Sequence, residues 1–245
     1  MSSSYRLSGA AAESLSLLAT CLDMVNQFVR LDIDSSGLVV TCTDHDDTIS
    51  IRYLLPVETI GDTSPPVAPQ SVHIRCMDVV RCIQNAQGCV QITTDAACWT
   101  ISDLAGNTTA WTTSVKDTRW TYPNTMQYDC AIQIPTSTFL LFGQHITLCE
   151  SYVRVSSHGC NDITMHAEGE FLSIQIQNEA PGVPVVVGTH PCVVRCTFKY
   201  LRAVLSILQR VDQLTVCLVH GDCLFWTIPF STGMLSVFIK DVPVY

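Results

Sequence analysis

Leu31-Asp-Ile-Asp-Ser-Ser-Gly-Leu-Val-Val-Thr-Cys-Thr-Asp-His-Asp-Asp-Thr-Ile-Ser-Ile-Arg-Tyr-Leu54 decides how this chain folds. It reads as short antiparallel strands separated by polar turns. Ser35-Ser36-Gly37 makes the first turn, where a glycine tolerates the backbone angles a tight reversal needs. Asp44-His-Asp-Asp47 makes the second, and a polar hairpin tip accounts for it more economically than a metal cluster would. A long apolar-periodic segment precedes the stretch: Leu15, Leu18, Leu22 and Val25 fall at helical spacing and predict a helix from about Gly9 to Gln27.

The same plan continues outward. Strands are expected at Val29–Ile33, Gly37–Thr43 and Thr48–Leu55, followed by a proline-rich loop at Asp62–Pro69. A strand at Ser71–Ile74 runs into a short helix at Cys76–Ala86, with Cys76, Val79, Val80 and Ile83 on one face. Strands at Val90–Thr93, Cys98–Asp103 and Thr108–Val115 close the first half. Lys116–Gln127 has no sustained periodicity and contains Pro123, so it reads as a surface linker. The plan then restarts with a strand at Tyr128–Ile134, a helix at Pro135–Glu150 and strands at Tyr152–Val155, Asp162–Ala167 and Phe171–Gln177. Val183–Val187 is a further strand candidate. A strand at Cys192–Cys196 enters a helix at Thr197–Arg210 with Phe198, Leu201, Leu205 and Leu208 on its apolar face. Strands at Gln213–Val219, Cys223–Pro229 and Met234–Ile239 finish the chain. This predicts an α+β fold of two domains, 1–116 and 128–245, joined by 117–127. Hairpins dominate, so the sheets are antiparallel and helices cover one face of each.

Composition bounds the function. Of 245 residues, 47% are hydrophobic and 14% charged, ample for a core and without the signature of disorder. No apolar run approaches the roughly 18 residues that cross a bilayer, and Met1–Arg6 lacks the apolar core of a signal peptide, so an intracellular protein without a membrane partner is expected. Thirteen cysteines, an odd number with no C-x-x-C pair, argue against a disulfide framework. His190, Cys192 and Cys196 offer three zinc ligands at most, where a structural site needs four. Reduced cysteines acting as small core hydrophobes are the better reading, and neither a metal nor a cofactor is expected. The formal net charge of −9 speaks against a nucleic-acid partner. Yet Arg195–Arg210 carries Arg195, Lys199, Arg202 and Arg210 with no acidic residue. One basic helix suffices if geometry lays it on phosphates; a solvated helix face fits the residues equally well.

Four segments carry a resemblance. Besides the opening stretch, they are Tyr128-Asp-Cys-Ala-Ile-Gln-Ile-Pro-Thr-Ser-Thr-Phe139, Val193-Val-Arg-Cys-Thr-Phe-Lys-Tyr-Leu201, and Leu214–Ile228 followed by Gly233–Ile239. In this order, over nearly the whole length, the chain resembles the DNA sliding clamps of the proliferating-cell-nuclear-antigen family. That resemblance implies a head-to-tail homotrimer with helices lining a channel and sheets outside. It implies a processivity factor that encircles duplex DNA, is opened by a clamp loader, and tethers DNA polymerase and other peptide-motif proteins without catalysis of its own. Its place of work would be the nucleus or a cytoplasmic viral replication site, the cysteine load hinting at a viral origin.

Carried over by position, the DNA-facing residues are Arg81, Lys199, Arg202 and Arg210. The chain departs from the family here, since Gly9–Gln27 and Pro135–Glu150 carry no Lys or Arg, and Asp78 stands where a basic residue is usual. The partner-peptide groove maps to Thr43, Asp44, Ile51, Trp120, Tyr122, Pro123, Lys240, Val242 and Pro243, with His45 or Asp47 near a family histidine. Trp120 and Tyr122 are the aromatic anchors a groove needs, or a cover for the sheet beneath the linker. Subunit contacts map to Thr109, Trp111 and Thr113 on one edge and to Met165, Ala167 and the nearby Ile146 on the other. A monomeric or heteromeric clamp-like factor shares all these features and is the alternative. For an enzyme the chain offers neither G-x-S-x-G, H-E-x-x-H nor a phosphate loop; a Cys–His hydrolase would show itself by activity lost on a single Cys→Ser change.

Overall fold

The computed structural model describes residues 3–34, 36–60, 70–84, 88–94, 98–103, 108–112, 129–146, 152–157, 162–167, 173–177, 186–187, 192–219, 222–230 and 232–240. In chain order the elements are β1 (Ser3–Leu7), α1 (Gly9–Leu22), β2 (Phe28–Asp34), β3 (Gly37–Thr43), β4 (Ile49–Leu55), β5 (Glu58–Ile60), β6 (Gln70–Arg75), α2 (Cys76–Gln84), β7 (Val90–Thr94), β8 (Cys98–Asp103) and β9 (Thr108–Thr112). They continue with β10 (Cys130–Pro135), α3 (Thr136–Ile146), β11 (Tyr152–Ser157), β12 (Asp162–Ala167), β13 (Ser173–Gln177), β14 (Val186–Val187), β15 (Cys192–Thr197), α4 (Phe198–Leu208), β16 (Gln213–Val219), β17 (Cys223–Phe230) and β18 (Gly233–Lys240). The chain divides into two compact units. One holds Met1–Asp44, Ile51–Trp120 and Phe230–Leu235; the other holds His45–Ser50, Thr121–Pro229 and Ser236–Tyr245. The linker expected at 117–127 lies outside the described residues.

In the first unit α1 and α2 pack together. Its strands run β5-β1-β7-β8-β9 and β4-β3-β2-β6. Ser8 caps α1, its Oγ accepting the Ala11 N–H at 3.2 Å, a contact worth about 1 kcal/mol. α1 buries Ala11, Ala12, Leu15, Leu18, Ala19, Cys21 and Leu22. It stops at Leu22, short of the expected Gln27, because Asn26 draws the chain out of the helix. Asn26 Oδ1 accepts the Phe28 N–H at 3.0 Å, and its Nδ2 donates to the Thr43 carbonyl at 2.8 Å. A hydroxyl chain ties α1 to the strands: Thr232 Oγ1 donates to Ser14 Oγ at 2.8 Å and lies 2.9 Å from Tyr53 Oη.

β2 shows the strand alternation plainly. Val29, Leu31 and Ile33 are buried, while Phe28, Arg30 and Asp32 point to the other face. On that face Arg30 Nε donates to Asp32 Oδ1 at 2.9 Å and its NH2 donates to Ser71 Oγ at 3.0 Å; the Ser71 hydroxyl donates in turn to Asp32. His73 lies opposite Arg30 in register. Burial lowers the His73 pKa from its ordinary value, and the Arg30 guanidinium adds to that against an opposing pull from Asp32.

The second unit repeats the plan with α3 packed on α4 and strands ordered β14-β10-β16-β17-β18 and β13-β12-β11-β15. Phe139 of α3 meets Trp226 of β17 edge to face, ring centroids 4.9 Å apart, worth about 1 kcal/mol beyond the area buried. Pro135, expected in the first turn of α3, is the last residue of β10. The Thr136 N–H donates to the Asp212 carbonyl at 2.9 Å, so backbone pairing carries past the proline. β1 and β5 were not expected; both are short, and β5 buries too little apolar surface to show a period. The α+β class with antiparallel sheets holds throughout the described residues.

Ten of the thirteen cysteines are seen as free thiols, eight of them buried among the core strands and helices and two, Cys82 and Cys89, half-buried. Burial pushes Cys76 and Cys217 up to about 12 and drives Cys42 up as well. Thiols held neutral in this way are poor nucleophiles and poor metal ligands.

Two outcomes follow. Gly37 has φ +135°, and a Cβ there would run into the Leu55 carbonyl oxygen. Gly37→Ala should therefore lower the unfolding free energy by roughly 2–4 kcal/mol in urea titration. For His73, the unfolded chain takes its proton near about pH 6.5 and the fold only at lower pH, so stability falls as pH drops through that window. His73→Gln should shrink the loss of urea midpoint between about pH 7.5 and about pH 5.5; an unchanged loss would assign it to other groups.

Candidate functional site

The four helices carry the residues expected to face DNA. On α1 the exposed residues are Ala10, Glu13 and Thr20, and Asp23 caps its C-terminus. On α2 Arg81 is exposed but lies 3.4 Å from Asp78, one turn back, with its side chain 72% open to solvent. A pair this exposed contributes little to stability and leaves the guanidinium in reach of a phosphate. α3 exposes Ser137 and Leu141. Lys199 and Arg202 lie on α4, where their side chains fall outside the described residues. Arg210 is exposed just beyond the Gln209 C-cap of that helix. The second half of α4 buries Ala203, Val204, Leu205, Ile207 and Leu208.

Of the residues expected in a partner groove, Thr43, Asp44, Ile51 and Lys240 lie among the described residues. Thr43 is half-buried at the end of β3. Asp44 is 5% exposed, and Ile51 is fully buried in β4. The Ile51 side chain packs in the core, in the inward register of β4. Asp44 also lies close enough to the Cys42 thiol to help raise its pKa, after burial itself and Cys76. His45, Asp46 and Asp47 are the exposed part of the tip, and Asp47 adopts φ +53°, the left-handed conformation that Asp tolerates in turns. Lys240 is exposed at the end of β18, its N–H donating to the Thr48 carbonyl at 2.8 Å. Trp120, Tyr122, Pro123, Val242 and Pro243 lie outside the described residues.

The expected subunit contacts fall on sheet edges, with one shift. Among the described residues β9 is the last strand of its sheet, carrying Thr109 opposite Ile101 and Trp111 opposite Trp99. Among the described residues of the second unit β13, not β12, ends the sheet on this side. Met165 and Ala167 therefore sit one strand in, and Met165 is buried between Val155 and Ile174 in register. The edge residues are Ser173–Gln177, whose alternation of Ile with Ser and Gln marks a strand but not its position in the sheet. Ile146 is the last residue of α3, with its side chain outside the described residues, as is all of Thr113. Cys192 and Cys196 lie on the buried face of β15, with Cys196 Sγ 3.5 Å from the Val153 carbonyl. Among the described residues no three His, Cys, Asp or Glu side chains gather as a metal-binding set, and no helix is long and apolar enough to cross a membrane.

No family model and no curated protein sequence matches the chain. Among solved structures, a crystal structure of a PCNA2–PCNA3 complex from Sulfolobus tokodaii superposes with a TM-score of 0.72 at 14% identity, over 97% of this chain and 98% of that one. On that near-complete overlap, the fold of this chain is the PCNA-like clamp fold.

Proposed function

We propose that the chain is a sliding-clamp subunit: a non-catalytic DNA polymerase processivity factor that closes into a ring around duplex DNA and tethers replication and repair proteins. The observation that carries this reading is the clamp fold over 97% of the chain. Among the described residues β9 and β13 end their sheets, and a head-to-tail pairing of such unlike edges from successive copies closes into a ring when the rotation between subunits allows it. A closed ring retains DNA topologically, so its phosphate contacts can be few and sequence-blind. Arg81, Lys199, Arg202 and Arg210 are those contacts in this reading, with 1–116 and 128–245 as the clamp domains. The tip at Thr43–Asp47, the segment with Trp120, Tyr122 and Pro123, and the tail with Lys240, Val242 and Pro243 receive peptide motifs of polymerases and other partners. A clamp loader opens the ring, and the site of work is intracellular, nuclear or at a cytoplasmic viral replication site.

A second reading is supported by the structural relative itself, a complex of two different clamp subunits. By that analogy this chain joins an unlike subunit, and the near absence of Lys and Arg from α1, α2 and α3 is then offset by its partner's charge.

Light scattering over a dilution series separates the two. A homotrimer gives about 81 kDa, three times the 26.9 kDa chain; a persistent single-chain mass defeats the homotrimer and directs the search to an unlike partner. Lys199→Ala with Arg202→Ala should leave that mass unchanged and cut retention on circular duplex DNA by about tenfold or more. Wild-type retention would remove α4 from the channel.

A further inference from the structure

One end of the first unit, where α1 gives way to β2 and β6 runs into α2, carries apolar surface that has no part in clamping. Six large hydrophobic side chains are exposed among the described residues, and three of them, Met24, Phe28 and Met77, belong to this joint. Met24 lies in the turn after α1, Phe28 opens β2, and Met77 is the second residue of α2. Hydrogen bonds hold the segments together. The Cys76 N–H donates to the Gln27 carbonyl at 2.9 Å, and its thiol to the Asn26 carbonyl at 3.3 Å. Asn26 in turn binds the Phe28 N–H and the Thr43 carbonyl. Phe28 stands opposite Arg75 in register.

The core does not need these three residues. Val25, Val29, Cys76 and Val79 fill the inward positions beside them, while Met24 and Phe28 stay 47% and Met77 41% exposed. A single exposed apolar side chain is ordinary; three around one hydrogen-bonded joint form a contact surface that is held ready-made. The charges around it are unevenly presented. Arg75 is exposed, its guanidinium 5.8 Å from the Phe28 centroid, near the outer limit of such a contact. No carboxylate among the described residues lies within ion-pair reach of it. Arg81, one turn of α2 past Met77, is 72% open and already faces Asp78. Asp23 is half-buried on the thiol side of the joint, where its charge helps raise Cys42 and Cys76.

We propose that this joint docks a peptide segment of another protein, one that carries a large apolar side chain with a carboxylate beside it. The apolar side chain covers Met24, Phe28 and Met77, whose two thioethers adapt to aromatic and branched shapes alike. The carboxylate pairs with Arg75 in a charge-assisted hydrogen bond. Duplex DNA would use Arg75 and Arg81 and leave the three apolar side chains in water. A second copy of this chain, patch against patch, would gather Arg75 and Arg81 of both copies around one apolar centre, which like charges disfavour. The site needs no ring, and none of its residues belongs to the groove formed with Trp120, Tyr122 and Pro123.

The test selects random phage-displayed dodecapeptides on the full chain and counter-screens them on Phe28→Ser and on Met24→Gln with Met77→Gln. These exposed positions should leave the urea midpoint in place. Sequences kept by the wild type and lost on both variants should join Phe, Trp, Leu or Ile to a neighbouring Asp or Glu. One such peptide, labelled with fluorescein, should bind each variant about fivefold or more weakly by anisotropy. Arg75→Gln should weaken it to a similar degree and remove most of its salt dependence. Tyr122→Ala should bind it as wild type does, which separates this site from the groove. The proposal is overturned if no selected sequence depends on Met24, Phe28 and Met77, or if the dependent sequences lack a carboxylate. A smaller light-scattering mass for the Met24/Met77 variant would give the patch to a second copy instead. Weaker retention of Arg75→Gln on circular duplex DNA, with peptide binding unchanged, would give it to DNA.

Discussion

Burial of the helix pairs against their sheets is the constraint from which the remaining features follow. α1 buries seven side chains and carries no basic residue to keep its surface in water, so it has to be covered by α2 and by the sheet beneath. That covering fixes Val29, Leu31 and Ile33 inward on β2, and with period two the alternate positions of the same strand are committed outward. A shift of one residue in β2 would bury Arg30 and Asp32 and expose Val29, Leu31 and Ile33. The Asn26 hydrogen bonds to Phe28 and Thr43 hold that register at the point where helix gives way to strand. In the second unit the contact of Phe139 with Trp226 locks α3 onto β17.

Once the inward positions are apolar by necessity, charge is left to turns, helix backs and outward strand positions. This chain spends few of its thirteen basic residues on the helices. A clamp that retains DNA by enclosure tolerates this, because topology rather than affinity prevents escape. A protein that had to hold DNA by contact alone at net charge −9 would not. The sparse helix charge therefore fits the proposed enclosure better than open-faced duplex binding.

Much of this was legible in the sequence because the signals were local. Leu15, Leu18 and Leu22 marked α1, the alternation in Gly37–Thr43 marked β3, and Cys192–Cys196 entering a leucine-faced helix marked β15 and α4. What failed was information held by other segments. The end of α1 depends on Asn26 reaching the Thr43 carbonyl, seventeen residues away in sequence. The place of Pro135 at the end of β10 depends on Asp212. The position of Met165 one strand from the edge depends on β13 pairing with β12, and nothing within Asp162–Ala167 reports a neighbour.

The edges themselves bear on whether the chain works alone. Natural sheets blunt an exposed edge with lysine, proline or a bulge, since a bare row of N–H and C=O groups recruits other strands indiscriminately. β9 reads Thr-Thr-Ala-Trp-Thr and β13 reads Ser-Ile-Gln-Ile-Gln, with neither a charge nor a proline between them. Strands of that composition are suited to being paired rather than protected. Because the two edges differ, pairing one with the other is heterologous, and such contacts propagate until the assembly closes. Neutral edges also carry no charge pattern to enforce self over non-self. The choice between like and unlike neighbours then falls to side chains flanking the strands, which is the point on which the homomeric and heteromeric readings part.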